Sequence, residues 1–236
     1  MRVAAITDIG LCRQRNEDNY FIDADRHIFV ICDGMGGHKG GNVASQLAVE
    51  TMQKQLFFAS PEDIIPALRN AFQHANQVIY EKGQSDPSLL EMGTTMTAAV
   101  LTKNYMVVAH VGDSSLFLYT RDGQFKKITR DHTLSQQILA DSLPVNQDFQ
   151  IKSYNHILTR AVGVEAEVEV DIMQEEITAG DWILMCTDGL TDLVGENEIY
   201  EHLQAAREPQ LTAQALLDTA MGRGGHDNIT IVVLSV

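Results

Sequence analysis

Residues 95–128 read TMTAAVLTKNYMVVAHVGDSSLFLYTRDGQFKKI, in which four short apolar runs, rich in β-branched and aromatic residues, alternate with polar turns. The first two runs flank Thr102-Lys103-Asn104, and the last two flank Arg121-Asp122-Gly123, where the Asp-Gly pair favours a tight hairpin turn. Consecutive hairpins place strands side by side without an intervening helix. The stretch therefore predicts an α+β fold with antiparallel sheets rather than alternating βαβ units.

Elements on either side of this stretch extend the pattern. Further strands are predicted at residues 20–22, 27–32, 168–172, 182–186 and 229–234. Apolar residues at three-to-four spacing predict helices over residues 43–56, from about 60 or 66 to 79, and over 212–221. Residues 131–165 are weakly patterned, which fits either a mobile flap over a site or a plain surface excursion. We expect residues 1–236 to form a single domain.

The composition excludes several classes of partner. The 236 residues include 17 lysines and arginines against 32 aspartates and glutamates, which gives a formal charge of −15. An acidic chain without a basic stripe repels phosphates and anionic lipid, so no nucleic-acid partner is expected. No apolar run approaches the roughly 18–20 residues of a membrane span, so no membrane partner is expected either.

The cysteines and the N-terminus favour the cytoplasm. Cys12, Cys32 and Cys186 are odd in number and share no C-x-x-C spacing, which argues against a disulfide framework or a thiolate zinc site. Residues 1–8 reach an acid too early for a secretory leader. We expect a cytoplasmic protein whose cysteines are dispensable for its chemistry.

Aspartates fall at or near the ends of predicted strands. Strand ends hold side chains rigidly, so these acids can form a defined constellation. Carboxylates brought close together repel one another unless a divalent metal neutralises them. A ligand set made only of oxygen indicates Mg²⁺ or Mn²⁺ rather than zinc. The five acids are Asp18, Asp33, Asp113, Asp188 and Asp227.

Each of these features has a simpler interpretation. An isolated Asp-Gly pair is most often a turn, and Asp122-Gly123 is interpreted in that way. The glycine-rich residues 33–41 follow a strand, but they lack the Gly-Lys-Ser/Thr ending of a P-loop and the further strand and acid of a Rossmann site. A metal-lined cleft therefore fits residues 33–41 better than a nucleotide cradle.

Four basic or titratable side chains are candidates for contact with a substrate. Arg13 could clamp two oxygens of a phosphoester with its planar fork, or be an ordinary surface arginine. Three histidines could donate a proton to a leaving oxygen, or be exposed or hydrogen-bonded structural residues. They are His38, His132 and His226.

Ordered motifs along the whole chain resemble the metal-dependent Ser/Thr protein phosphatases of the 2C type, most closely the compact bacterial branch. The motifs are Arg13-x-x-Asn16-Glu17-Asp18, Asp33-Gly34-Met35-Gly36-Gly37-His38, Gly93-Thr94-Thr95, Val111-Gly112-Asp113-Ser114, Leu158-Thr159-Arg160-Ala161-Val162-Gly163, Thr187-Asp188-Gly189-Leu190 and Asp227-Asn228-Ile229-Thr230. The resemblance implies a four-layer αββα sandwich of two antiparallel sheets flanked by helices, with residues 131–165 as the flap beside the cleft.

The resemblance also implies a centre of two Mn²⁺ or Mg²⁺ ions. Asp33 would bridge both ions, the Gly34 carbonyl would bind one, and Asp188 and Asp227 would complete the direct ligands. Asp18 and Glu17 would hold water molecules bound to the metal ions, and Asp113 together with Asp188 would bind a third, weaker metal ion. Arg13 would bind the phosphate. His38 is the weak candidate for the general acid.

The implied reaction is hydrolysis of phosphoserine and phosphothreonine monoesters by one-step attack of metal-bridging hydroxide, in a monomer that counteracts a Ser/Thr kinase. Two departures bear on the transfer: Ser115 replaces an arginine of the family motif, and Met35 stands where eukaryotic members have a histidine. Two rivals remain. One is a non-catalytic sensor or scaffold, and the other is a phosphatase for small metabolites or for one regulatory domain.

Overall fold

A computed structural model of the chain describes residues 1–36, 40–140, 154 and 156–236. The strands are β1 Arg2–Asp8, β2 Asp18–Asp23, β3 Ile28–Met35, β4 Gly93–Thr94, β5 Met96–Leu101, β6 Tyr105–Val111, β7 Ser115–Tyr119, β8 Phe125–Lys127, β9 Asp171–Glu176, β10 Trp182–Cys186 and β11 Ile229–Ser235. The helices are α1 Gly40–Gln55, α2 Ile64–Ser85, α3 Leu134–Ala140, α4 Asp188–Thr191, α5 Glu196–Gln204 and α6 Pro209–Gly222, with 3₁₀ turns at Pro61–Asp63 and Pro87–Leu89.

The strands form two antiparallel sheets. The first sheet has the order β1-β11-β10-β7-β8, and the second has the order β2-β3-β5-β6-β9, with β4 paired to β3. Both predicted hairpins are present, since β5 pairs with β6 and β7 pairs with β8. The hairpin prediction from residues 95–128 is confirmed.

Apolar residues on both faces of the strands explain the layered architecture. Phe29 and Ile31 of β3 share a buried cluster with Ile183 of β10, so this cluster lies between the two sheets. Their neighbour Val30 packs with α1 and α2 instead, and Leu184 packs with α5 and α6. Helices therefore cover the outer face of each sheet, and the predicted four-layer αββα sandwich is confirmed.

Two strand predictions need correction. The run at residues 168–172 was expected to be a strand, but β9 begins only at Asp171. Val168 and Val170 alternate because they pack into the cluster beneath α2, where the Val168 carbonyl accepts a hydrogen bond from Gln73 Nε2 at 2.6 Å. The strand predicted at 27–32 begins at Ile28 and continues to Met35, beyond the predicted end.

The weakly patterned residues 131–165 are described in part. Thr133 and Leu158 form an isolated antiparallel bridge, and Leu134 N–H donates to the Ile157 carbonyl at 2.8 Å. These contacts join the two ends of the segment. Residues 141–153 and 155 lie outside the described part of the chain, so the flap prediction stays a prediction, as does the single domain. Among the described helices, none is long and apolar enough to cross a bilayer.

Candidate metal centre

Two of the predicted acids lie directly opposite each other in the second sheet. Asp18 at the start of β2 is the cross-strand partner of Asp33 on β3. The backbone of Asp33 is held from the other side by Thr95, whose N–H donates to the Asp33 carbonyl at 2.8 Å and whose Oγ1 accepts from the Asp33 N–H at 2.9 Å. The ladder therefore fixes both carboxylates next to one another.

Gly34 lies within β3, which continues past Asp33, and it pairs with Thr94. A Cβ atom at Gly34 would lie 2.1 Å from the Gly41 carbonyl oxygen and 2.7 Å from the Glu17 carbonyl oxygen. Glycine is required because the backbone of α1 approaches the strand too closely for any side chain.

The first sheet brings two further acids to the same place. Asp188 is the first residue of α4, just after β10, and Asp227 lies just before β11, the strand paired with β10. Thr187 Oγ1 donates to Asp18 Oδ2 at 2.8 Å and accepts from the Thr230 N–H at 2.9 Å. These two hydrogen bonds join the ends of β10 and β11 to the acid pair of the second sheet.

The acids surround a cleft of about 670 Å³. Arg13 is half-exposed at this cleft, and its Nη2 lies 2.6 Å from Asp227 Oδ2. Asp18 packs behind the cleft and is only 5% exposed. The other predicted ligands line it: Glu17, Asp33, Gly34, Asp113, Asp188 and Asp227.

Burial and mutual repulsion change the proton affinity of these acids. Burial, with a contribution from neighbouring carboxylates, raises the pKa of Asp18 to about 7 and that of Asp188 to about 6. The same causes raise the pKa of Asp33 and of Asp113 well above the ordinary value for an aspartate. The cluster therefore favours bound protons or metal cations over its full negative charge.

The donor chemistry fits a divalent cation. Asp18 Oδ1 and Asp188 Oδ1 are buried and accept no hydrogen bond from any described residue. Buried carboxylate oxygens are normally paired, so unpaired ones indicate a cation that the protein chain does not supply. The surrounding donors are all carboxylate or carbonyl oxygens, which are the ligands that Mg²⁺ and Mn²⁺ prefer.

Two of the three candidate histidines, His132 and His226, do not line the cleft. His132 is buried, with its Nδ1 accepting from the Gly112 N–H at 3.0 Å and its Nε2 3.2 Å from Asp171 Oδ2, and burial lowers its pKa. His226 is exposed beside Cys12, 3.8 Å from its Sγ. Neither histidine lines the cleft, which favours their structural interpretation, and His38 lies outside the described residues.

Two further residues next to Asp188 did not emerge from the sequence. Single ligand atoms of His156, Asp188 and Asp192 all lie within 4.8 Å of one another, and His156 Nδ1 is 3.4 Å from Asp192 Oδ2. Asp192 follows Asp188 by one helical turn, so predicting α4 would have indicated that these acids share a face. No pattern indicated His156, since it lies in the weakly patterned residues 131–165.

The two motif departures have structural outcomes. Ser115 is buried at the start of β7, and its Oγ has no partner among the described residues. No hydrogen bond from Ser115 therefore replaces whatever pairing an arginine would make there. Met35 ends β3 and lines the cleft, where it adds an apolar surface in place of a titratable one.

A comparison with protein families matches residues 13–221 to the family described as Protein phosphatase 2C. The chain is 35% identical over 235 residues to the serine/threonine phosphatase stp of Listeria monocytogenes serovar 1/2a, covering 97% of this chain and 93% of that protein. It is 34% identical over 236 residues to the serine/threonine protein phosphatase PstP of Mycobacterium tuberculosis, covering 100% of this chain and 45% of that protein.

Solved structures give the same result. The crystal structure of Mycobacterium tuberculosis PstP/Ppp has a TM-score of 0.91 and 34% identity, over 100% of this chain and 98% of that one. The catalytic domain of PstP in complex with two manganese ions has a TM-score of 0.87 and 35% identity, over 98% of this chain and 96% of that one.

Proposed function

The chain belongs to the protein phosphatase 2C family, and from this premise we propose that its cleft hydrolyses phosphoserine and phosphothreonine monoesters on proteins. The single observation that carries the proposal is the convergence of buried carboxylates, two with unpaired oxygens, beside Arg13. The relatives named as serine/threonine phosphatases support the substrate class. The counterpart in the cell would be a Ser/Thr protein kinase whose products this enzyme dephosphorylates.

The chain would bind two divalent ions directly through Asp33, the Gly34 carbonyl, Asp188 and Asp227. The manganese complex of the PstP catalytic domain supports this reading, and we propose Mn²⁺ or Mg²⁺. When bound, such ions neutralise phosphoryl charge and lower the pKa of water so that hydroxide is available at neutral pH. The carboxylates would orient that chemistry because β3 and the ends of β10 and β11 fix them.

Three further acids would contribute without binding the two ions directly. Asp18 has one oxygen committed to Thr187, so its buried Oδ1 is free to hold a water of the metal centre, and Glu17 at the cleft would act in the same way. Asp113 lines the cleft and its carboxylate repels that of Asp188, which supports a third, weaker cation between them.

Arg13 would bind the phosphoryl group. Its guanidinium can offer two parallel N–H donors to two oxygens of a phosphate, a geometry that lysine does not provide. In the structure one of these nitrogens pairs with Asp227 Oδ2. Arg13 has five N–H donors, so it would bind the phosphoryl group either alongside this carboxylate or by exchanging the carboxylate for substrate oxygens.

The nucleophile would be water rather than a side chain. Burial raises the pKa of Cys186 to about 12 and that of Cys32 well above the ordinary value, so neither offers a thiolate. Cys12 is exposed but does not line the cleft. No covalent phosphoenzyme is expected. We further propose that the enzyme acts as a cytoplasmic monomer.

The test is phosphate release from a phosphothreonine peptide with Mn²⁺, with Mg²⁺ and with chelator. Activity should need a divalent ion, and Asp188→Asn should abolish it. Asp122→Asn is the matched control, because Asp122 also precedes a glycine but lies 78% exposed in the β7–β8 turn. Full activity of Asp188→Asn would contradict the proposal. A strong preference for small phosphorylated metabolites would show that the substrate is a metabolite rather than a protein.

A further inference from the structure

The segment between β1 and β2, residues 9–17, carries Arg13 but forms no helix or strand of its own. Its conformation therefore depends on hydrogen bonds to other parts of the chain. On the N-terminal side of Arg13, Leu11 N–H donates to the Gly225 carbonyl at 2.7 Å. On the other side, the Asn16 carbonyl accepts from Asn42 Nδ2 at 3.1 Å and the Glu17 carbonyl accepts from the Gly34 N–H at 3.2 Å. One buried amide side chain contacts the segment on both sides of Arg13.

That side chain belongs to Asn228, which is 5% exposed. Its Nδ2 donates to the carbonyls of Ile9 at 3.0 Å and Arg15 at 2.9 Å. Its Oδ1 accepts from the Glu17 N–H at 2.8 Å. Both amide hydrogens and the carbonyl are thus used on backbone groups of the segment, on both sides of Arg13.

Asn228 is itself rigidly placed. It immediately precedes β11, and its N–H donates to Asp227 Oδ1 at 2.8 Å. Its carbonyl packs so closely on Gly189 that a Cβ atom at Gly189 would lie 2.0 Å away. The amide therefore transfers the fixed geometry of the β10 and β11 ends to a segment that has no secondary structure.

We infer that Asn228 is a positioning residue for phosphate binding, because it holds residues 9–17 in the conformation that keeps Arg13 at the cleft. This inference rests on the proposed role of Arg13 as the phosphate-binding residue. Asn228 lines the cleft, but its side-chain amide is used on the backbone of Ile9, Arg15 and Glu17, so it would act through these residues. Displacements of about 1 Å in a positioning group are enough to weaken catalysis substantially.

The first experiment measures Asn228→Ala in the full chain at saturating Mn²⁺ with a phosphothreonine peptide. We expect KM, and the inhibition constant of inorganic phosphate, to rise about tenfold while kcat stays within about threefold. Asn76→Ala is the matched control. Asn76 is a fully buried amide whose three hydrogen bonds hold another loop, at Gly163, Glu165 and Ala166, and its loss should leave KM unchanged.

A double-mutant cycle separates positioning from general damage. In the Arg13→Ala background, Asn228→Ala should change KM by less than about twofold, because the side chain it positions is gone. A further tenfold rise in that background would overturn the inference. An unchanged KM in Asn228→Ala, with KM raised in Arg13→Ala, would overturn it while leaving the proposed function intact. An unchanged KM and phosphate inhibition in Arg13→Ala would remove the proposed role of Arg13 and the inference with it.

A second variant keeps the inference testable if Asn228→Ala folds poorly. Asn228→Asp keeps an acceptor for the Glu17 N–H and loses both donors, so KM should rise as in Asn228→Ala. Hydrogen exchange gives a readout independent of activity, with faster exchange of amides in residues 9–17 in both Asn228 variants and not in Asn76→Ala. Unchanged hydrogen exchange in residues 9–17 would contradict the positioning role of Asn228.

Discussion

Two clusters of buried or half-buried ionisable groups meet at the turn between β6 and β7, and they neutralise their charges in different ways. One is the histidine cluster, defined as His110, His132, Arg160 and Asp171. The other is the carboxylate cleft, defined as Asp18, Asp33, Asp113, Asp188 and Asp227. Gly112 of the turn contacts the histidine cluster, and the next residue lines the cleft.

The histidine cluster is satisfied by its own members and neighbours. His110 Nδ1 lies 2.8 Å from Thr97 Oγ1, its Nε2 lies 3.2 Å from the Arg130 carbonyl, and its ring packs 4.9 Å from that of His132. Arg160 Nη1 donates to Asp171 Oδ1 at 2.7 Å. Opposite charges and neutral rings occur together, so no external ion is needed.

The five acids that define the carboxylate cleft all carry charge of one sign. Arg13 pairs with one carboxylate at its rim, while buried oxygens of Asp18 and Asp188 have no partner in the described residues. The contrast separates two uses of buried ionisable groups. Paired groups neutralise one another within the chain, and unpaired groups of one sign form a site for a ligand of the opposite sign.

The largest expected effect comes from removing one charge of the cleft. Asp33→Asn should lower kcat/KM by at least about 10³-fold, because it removes a proposed metal ligand. The same substitution should raise the melting temperature of the chelated protein, because it removes repulsion from the other buried acids. Kinetics with Mn²⁺ and calorimetry with chelator measure the two effects. A lower melting temperature would mean that Asp33 is structural, like the members of the histidine cluster.

Removing a member of the histidine cluster should do the opposite. His132→Ala leaves the buried Gly112 N–H without its acceptor, so the free energy of unfolding should fall by about 3 kcal/mol with or without Mn²⁺. Urea denaturation measures this change. His74→Ala, at an exposed position on α2, is the control and should change stability by less than about 0.5 kcal/mol. Equal stabilities for the two variants would erase the distinction between the clusters.

Much of this arrangement could be predicted from the sequence, because it depends on residues that are close together along the chain. Strand pairs such as 95–101 with 105–111 were predictable because turn residues and apolar runs are read within one hairpin. The acids at strand ends were also visible. Their convergence was not derivable from spacing, since Asp18 and Thr187 meet only when two sheets pack. The resemblance to known phosphatases supplied that step.

Features that depend on distant packing escaped prediction. The side-chain hydrogen bonds of Asn228 join residues more than 200 positions apart, and the sequence around Asn228 does not indicate these partners. The predicted strand at 168–172 was wrong in position because burial against a helix produced the same alternation as burial in a sheet. Local patterns report burial, and they do not report what covers the buried residue.

The two clusters should give opposite pH dependences of stability in the chelated protein. The pKa of His110 is lowered to about 3 by burial, so this residue adds stability as pH rises towards the unfolded value near 6.5. The pKa of Asp18 is raised to about 7, so its contribution is full below about pH 4 and is lost as pH rises through about 7.

Between pH 6.5 and 8 most of the His110 contribution has already been gained, so titration of the carboxylates should dominate. Denaturation with chelator should show a loss of about 1 kcal/mol over this range, and saturating Mn²⁺ should abolish it because cations replace the bound protons. Asp18→Asn should also flatten the profile. Stability that rises between pH 6.5 and 8 without metal would contradict the assignment of the unpaired oxygens to a cation site.

The smallest expected effect concerns Arg13 and Asp227, which form an ion pair in the cleft as charged groups do in the histidine cluster. Arg13 Nη2 occupies Asp227 Oδ2, while Asp227 Oδ1 accepts the Asn228 N–H, so a metal ion at Asp227 competes with a cation of the chain. Arg13→Ala should therefore bind Mn²⁺ about threefold more tightly by calorimetry, even though it is a poorer catalyst. Arg15→Ala, which removes another cleft-lining cation, controls for a general loss of positive charge. Unchanged or weaker Mn²⁺ binding in Arg13→Ala would mean that the ion pair persists beside the bound metal, and Arg13 would then reach the phosphoryl group without leaving Asp227.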